Sequence, residues 1–410
     1  MDSCKCRFCG SVLNKIFLDL GITPLSNSFL HVQDIQKPEK KYPLKVYLCG
    51  NCFLVQIPEF QTPSEIFREY AYFSSYSESW LKHAENYTNN ITEKYQINNN
   101  HLVIEIASND GYLLQFFKKK KIPVLGIEPA ENVAKAAKEK GIETVVEFFG
   151  EELAKKLVEE NKRADLIIGN NVLAHVPNIN DFVKGLSVLL KNEGIITLEF
   201  PHLLQLVKNK QFDTIYHEHF SYFSLFSVKK IFEYFKLIIF DVEQIPTHGG
   251  SIRIHVKHKE NEMMKIGTSV NKILELEKNF GLFNQDIYLK FSKDIELLKQ
   301  QIQLFFNNAK KNMKKIVCYG AAAKGNTMLN YCKIGKQHID FVVDKNPYKK
   351  GLYLPESHIP IKDPKEILNE KPDYVVILPW NIKNEIMNEL SYIREWGGKF
   401  VVPIPEISIE

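Results

Sequence analysis

The sequence predicts an α/β protein in three parts: a nucleotide-type α/β domain carried between a small cysteine-built metal domain and a second α/β domain. Three observations predict it. Two Cys-x-x-Cys pairs open the chain, and buried strands begin to alternate with amphipathic helices near residue 101. A second alternation of the same kind starts at Lys314, after a long stretch without proline. At 410 residues the chain exceeds what one core usually fills. The expected division is 1–60 metal domain, 61–98 helical linker or lid, 99–260 first α/β domain, 261–312 helical connector and 313–410 second α/β domain.

Composition narrows the function classes. Hydrophobic residues at 44% and charged residues at 25% are ordinary for a globular protein. The 53 Lys and Arg against 49 Asp and Glu leave a formal charge of +4, too slight a field to imply a nucleic-acid partner. No apolar run approaches the ~20 residues that span a bilayer, and no signal peptide precedes the first cysteines, so the expected setting is the cytoplasm without membrane attachment. Of 7 cysteines, those at 4, 6, 9, 49 and 52 crowd the start of the chain, which suits one metal site better than a disulfide scaffold.

Cys6-Arg-Phe-Cys9-Gly and Cys49-Gly-Asn-Cys52 are the metal candidates. Two residues between thiols let one tight turn present both sulfurs to the same ion, and two such turns supply four soft ligands. Zinc is the natural occupant and iron the alternative, with Cys4 as a spare or competing ligand. A four-thiolate site leaves no open position for water, so its role is structural: it staples about 60 residues that could not bury a large core alone.

In the first α/β domain, residues 101–107 read as a buried strand, 108–112 as a turn and 113–120 as an amphipathic helix. The next strand, Val124 to Glu128, ends in a carboxylate 17 residues after Gly111, a spacing that suits ribose hydroxyls. The turn lacks the G-x-G-x-x-G that a pyrophosphate demands. A ligand without phosphates, such as S-adenosylmethionine, fits it better; an ordinary strand–turn–helix is the bland alternative. Candidate cofactor contacts are Glu105, Ala107, Ser108, Asn109, Gly111 and Glu128, joined by Asn170 and Asn171 after the strand 164–169. Polar residues at the carboxyl ends of parallel strands face the ligand crevice in open sheets. His175 could face it too, or could simply cap and pack.

The run Ile215 to Phe223 packs two histidines, a carboxylate and two phenols into nine residues. Neutral imidazole takes a proton near pH 7, carboxylate can orient it, and phenol can hold an oxyanion. That is equipment for proton abstraction beside a carbonyl, although a partly buried polar edge has the same composition. Further on, Gly320 to Thr327 almost forms a P-loop, but Asn326 stands where the lysine is required, which argues against ATP hydrolysis. The turn could carry a nucleotide-sugar diphosphate with Lys324 as counter-charge, or belong to a packing domain; Cys318 reads as core.

Taken together, these motifs resemble the S-adenosylmethionine-dependent sugar C-methyltransferases. The resemblance rests on the two Cys-x-x-Cys pairs, Tyr72-Phe-Ser-Ser75, Glu105 to Gly111, Asn170 to His175, Tyr216-His-Glu-His219, Thr247 to Arg253, Tyr319 to Thr327, Asp344 to Pro347, Leu354-Pro355, His358 to Ile361, and Leu378 to Asn381. It implies a Rossmann-like class I methyltransferase domain between a zinc-binding domain and a second Rossmann-like domain. Zinc and S-adenosylmethionine are the implied cofactors, and a nucleotide-linked 4-keto-deoxysugar is the implied substrate. By the same resemblance His219 is the general base, with Tyr216, Glu218, His175 and Tyr72 lining its site. We expect Tyr216 or His175 at the enolate oxygen and Glu218 behind the imidazole. His248, Ser251, Lys324 and Asn326 fall on the substrate side. His217 departs from the pattern, since relatives often carry an acid there. The rivals are a nicotinamide-type oxidoreductase or epimerase, an O-methyltransferase, and a non-catalytic binding protein. The sequence names no subunit partner, and a monomer is compatible with it.

Overall fold

The computed structural model describes residues 4–62 and 73–410. The chain opens on the turn that carries Cys6 and Cys9, then forms three antiparallel strands: β1 (Lys15–Thr23), β2 (Tyr42–Leu48) and β3 (Val55–Gln56). Leu44, Val46 and Leu48 alternate inward along β2, the period of a strand buried on one face. Cys49 and Cys52 sit in the turn that leaves β2.

Helix Glu78–Lys94, capped by Ser77 accepting from the Trp80 amide, leads into the central domain. There β4 (Val103–Ile106), β5 (Val124–Ile127), β6 (Thr144–Val145), β7 (Ala164–Asn170) and β8 (Leu190–Pro201) are parallel. Every residue of β4 is buried, as a strand covered by helices on both faces requires. The strand expected over 101–107 stops at Ile106 because Ala107 turns left-handed, at φ 56°.

Next comes a pairing that sequence patterning does not reveal: β9 (Ser221–Tyr222) joins β3 antiparallel and completes the amino-terminal sheet. The segment just after the histidine cluster is thereby stitched to the metal domain. Strands β10 (Leu237–Ile245) and β11 (Ser251–His258) then finish the central sheet, with β11 antiparallel to both β8 and β10. Its order, β10-β11-β8-β7-β4-β5-β6, is that of a Rossmann-like class I methyltransferase domain.

Two helices, Thr268–Phe280 and Gln285–Lys311, form the connector and part at Gly281, whose φ of 96° needs a residue without a Cβ. Tyr288, Phe291, Ile295, Leu298, Ile302 and Phe306 recur at helical spacing and are buried. They enter a core shared with Phe17 and Leu44 of the amino-terminal sheet and Ile316 and Met328 of the last domain. Each such ring or branched side chain contributes roughly 1.5–3 kcal/mol. The last sheet has β12 (Ile316–Tyr319), β13 (Phe341–Val343), β14 (Ile361–Lys362), β15 (Tyr374–Ile377) and β16 (Lys399–Val402) parallel, and β17 (Ser408–Ile409) antiparallel at its edge. This is a second Rossmann-like layer. No helix among the described residues is long and apolar enough to cross a membrane.

Candidate active site

The carboxyl ends of β4, β5 and β7 open onto a cavity of about 830 Å³ that all three parts of the chain help to wall. After β4 the backbone takes three positive φ angles, at Ala107 (56°), Asn109 (50°) and Gly111 (74°), and so curls back over the strand ends. Ala107 and Asn109 line the cavity. The Asn109 amide donates to Glu128 Oε2 at 2.9 Å, and the Ala130 amide donates to Oε1 at 2.9 Å. Burial raises the Glu128 carboxyl while these two N–H groups oppose the shift.

Asn170 and Asn171 line the same wall. Among the described residues, neither amide atom of the buried Asn170 side chain, nor Asn171 Oδ1, has a hydrogen-bond partner. Buried amides without partners are costly unless a ligand satisfies them. A polar cofactor at the strand ends fits these residues, and S-adenosylmethionine has the donors and acceptors to match. Glu105, Ser108 and Gly111 lie behind the wall instead. Glu105 is 1% exposed, and burial pushes its carboxyl well up against the pull of the Tyr112 hydroxyl. A Cβ on Gly111 would meet Ile142 at 3.0 Å, so this glycine serves helix packing as well as the turn.

On the opposite wall the turn Tyr216–His219 is tied down by His219 N–H to Tyr216 O at 2.9 Å and Phe220 N–H to Ala174 O at 2.7 Å. These bonds bring the His219 and His175 rings to 4.7 Å, nearly edge to face. His219 Nδ1 donates to the Thr214 carbonyl at 2.8 Å, and its Nε2 meets the Tyr216 hydroxyl at 2.9 Å. His175 Nδ1 donates to the Glu218 carbonyl at 2.8 Å. Burial lowers the His175 pKa to about 4 and holds His219 well below the ordinary 6.5.

Glu218 does not stand behind the imidazole as expected. Its Oε1 accepts from Asn27 Nδ2 at 2.7 Å, and the group orienting His219 is the Thr214 carbonyl, because the tight turn sends the Glu218 side chain the other way. Burial raises the Glu218 carboxyl to about 7. His217 packs between Tyr42 and Phe60 rather than in the cavity. Tyr72 lies outside the described residues.

The last domain closes the third side. Lys324 lines the cavity, donates to Asn381 Oδ1 at 2.7 Å and lies over the Trp380 ring at 4.9 Å. Burial lowers its pKa, and the nearby Asp213, itself raised by burial to about 6, pulls the other way. His248 also lines the wall, with Nε2 at 3.1 Å from Asn171 Nδ2. The glycine that follows is forced: a Cβ on Gly249 would stand 2.5 Å from the Trp380 ring. Ser251 and Asn326, expected against substrate, do not line the cavity. Ser251 Oγ donates to the Thr247 carbonyl at 2.9 Å, and Asn326 Nδ2 donates to the Ser26 carbonyl at 2.6 Å. Asn27, Trp80, Asn346 and Lys349, which the motifs did not single out as site residues, do line it.

Sulfurs of Cys6, Cys9, Cys49 and Cys52 all lie within 4.8 Å of one another, with Cys6–Cys52 at 3.5 Å and Cys9–Cys49 at 3.6 Å. A tetrahedral zinc with ~2.3 Å bonds needs sulfurs about 3.8 Å apart, so the four fit zinc. Cys4 is outside the group. A second cluster, Asp241, Glu243 and His255, is served by the Lys94 ammonium, 2.7 Å from Asp241 and 3.1 Å from Glu243.

Three family models match the chain in succession: a zinc binding domain over residues 6–67, a methyltransferase domain over 80–237, and a C-methyltransferase C-terminal domain over 246–405. The chain is 34% identical over 402 residues to the C-methyltransferase NovU of Streptomyces niveus, covering 98% of this chain and 96% of that one. Solved structures give weaker likenesses. The magnesium protoporphyrin IX methyltransferase of Synechocystis PCC 6803 with bound SAM shares 14% identity over 43% of this chain and 78% of its own, with a TM-score of 0.33. The PH0226 protein of Pyrococcus horikoshii OT3 shares 17% over 49% and 100%, with a TM-score of 0.38. Scores at that level decide nothing about this chain. The near full-length relative and the three successive domains do: the chain belongs to the family of S-adenosylmethionine-dependent C-methyltransferases with an amino-terminal zinc-binding domain.

Proposed function

We propose that this C-methyltransferase acts on a nucleotide-linked 4-keto-deoxysugar, and that His219 removes the proton from the carbon beside the ketone. The observation that carries the reading is the state of the two His219 nitrogens. A carbonyl only accepts, so the 2.8 Å contact with Thr214 puts the hydrogen on Nδ1 and the lone pair on Nε2. Burial keeps the ring neutral at neutral pH, ready to take a proton.

S-adenosylmethionine, when bound, supplies an electrophilic methyl group on a sulfonium. Asn109, Glu128, Asn170 and Asn171 are the residues we assign to holding it, with Ala107 against it and Glu105, Ser108 and Gly111 shaping the loop from behind. Substrate entry displaces the Tyr216 hydroxyl from Nε2. As the C–H bond breaks, its electron pair flows to the ketone oxygen and its proton goes to Nε2. The released Tyr216 hydroxyl then donates to the enolate oxygen. His175 suits that task less well. Its Nδ1–H is committed to the Glu218 carbonyl and the ring is neutral above about pH 4, so Nε2 has a lone pair and no proton to give. Lys324 and Lys349 place positive charge on the wall that the diphosphate would meet. In this division residues 1–60 staple the fold, 99–260 do the chemistry and 313–410 hold the nucleotide.

The test is transfer from methyl-¹³C-labelled S-adenosylmethionine to a nucleotide-linked 4-keto-6-deoxysugar. A carbon-bound methyl resonance on the sugar is the expected product. An O-methyl resonance, or no transfer to any keto sugar tried, overturns the proposal.

A further inference from the structure

We propose that Asn27 is a positioning residue for Glu218: a carboxamide from the metal-stapled end of the chain, on a loop held by a helix of the last domain, fixes a carboxyl on the wall of the reaction cavity. The inference rests on the reading of that cavity given above and adds a residue that no motif marked.

The loop leaving β1 passes between two other parts of the molecule. On one side is helix Ala323–Tyr331, whose Asn326, Thr327 and Asn330 face this loop while Lys324 faces the cavity. Asn326 Nδ2 donates to the Ser26 carbonyl at 2.6 Å, Thr327 Oγ1 lies 3.2 Å from Ser26 Oγ, and Asn330 Nδ2 donates to Thr23 Oγ1 at 3.2 Å. Thr327 Oγ1 also donates to the Ile215 carbonyl at 3.1 Å, at the head of the catalytic segment. All these side chains are buried. A buried, satisfied polar seam of this kind fixes one arrangement of its parts, because any slip leaves groups unpaired.

On the other side of the loop, Asn27 reaches Glu218. The 2.7 Å bond from Nδ2 to Oε1 is the sole side-chain partner of that carboxyl among the described residues, and both side chains line the cavity. One donor therefore sets the direction of a carboxyl that is 4% exposed. Among the described residues, the histidines around Glu218 are His175, on its main-chain carbonyl, and its chain neighbours His217 and His219. Lys324 and Lys349 line the same cavity from the last domain. The amide bond favours the ionised carboxyl and works against burial, which holds Glu218 near 7. Removing that bond moves the pKa up, whichever form of Glu218 the reaction uses.

Zinc-loaded, full-length protein labelled with ¹³C at glutamate carboxyls tests this, with Glu218→Gln assigning the signal and S-adenosylhomocysteine present. Asn27→Ala should raise the Glu218 pKa by about one unit. Asn27→Asp keeps the shape, replaces the donor with a second carboxylate, and should raise it further. Asn326→Ala, which leaves Asn27 in place but loosens its loop, should raise it less. The pH dependence of substrate proton exchange should move in parallel in all three. A Glu218 pKa unmoved in folded Asn27→Asp overturns the proposal, as does a moved pKa with an unmoved exchange profile. Wild-type protein that exchanges no substrate proton overturns the substrate reading, while the carboxyl titration still decides the Asn27–Glu218 contact.

Discussion

Replacing Tyr216 with phenylalanine removes one hydroxyl and sets two opposing effects against each other. In the resting site that hydroxyl occupies His219 Nε2 at 2.9 Å, so its loss spares substrate the work of displacing it. A neutral hydrogen bond of this sort is worth about 1 kcal/mol net. In the transition state the same hydroxyl donates to the enolate oxygen, and an oxyanion donor in a water-excluded site contributes ~2.7–4 kcal/mol. The second effect wins by ~2–3 kcal/mol, about 30- to 150-fold in kcat/KM for the sugar. The ring itself stays, 4.0 Å from the imidazole centroid, so His219 keeps its packing and its Thr214 anchor. Initial rates at saturating S-adenosylmethionine, with cofactor affinity measured separately, read the outcome. A kcat/KM equal to or above wild type would show the hydroxyl to be only a plug on Nε2, and the enolate would need another donor.

Two further perturbations address the frame around the site. Arg253 holds Glu199, whose side chain is fully buried, through Nε to Oε1 at 2.7 Å, while His83 takes Oε2 at 2.9 Å. Arg253→Met strands that carboxylate at a cost of ~3–5 kcal/mol. In the native protein burial pushes the Glu199 carboxyl up, but His83 and Arg253 outweigh it and hold the group below 4.5, so its contribution is present above that value and is lost as pH falls through the folded pKa. In the variant the carboxyl rises above 4.5, and protonation relieves the penalty. The urea midpoint should therefore drop most at pH 8, and the gap should close toward pH 4; an equal gap at both would contradict the account. Removing zinc with a strong chelator should open the amino-terminal domain to proteolysis before cofactor binding fails, since four thiolates leave the metal no coordination site for substrate. Instant inhibition with the fold intact would make the metal part of the chemistry.

The parts of this molecule legible in sequence are those where short spacing carries the physics. Cys6, Cys9, Cys49 and Cys52 announce a metal because two residues between thiols make one turn. Glu128 and Asn170 announce a crevice because they end buried apolar runs. What stayed hidden depends on contacts far apart in the chain. β9 is two residues long, too short for any periodicity, yet it closes a sheet begun at Lys15. Glu218 has its partner in Asn27, 191 residues away, and Glu218 rather than the Thr214 carbonyl looked like the orienting group because main-chain acceptors leave no mark in a sequence. Asn326 reads as a flawed phosphate loop and is instead a tie to Ser26. Asn-rich polarity on a helix cannot say whether its partner is a ligand or the protein itself.

Proton exchange decides whether His219 is the base and a keto sugar its substrate. The protein would be held in D₂O with a nucleotide-linked 4-keto-6-deoxysugar and S-adenosylhomocysteine, so that no methyl transfer follows deprotonation, and the sugar watched by NMR. Deuterium should appear at the carbon beside the ketone, at a rate lost in His219→Ala while cofactor affinity stays the same. Exchange that persists in His219→Ala would contradict the assignment of the base, and no exchange in the wild-type protein would contradict the substrate class.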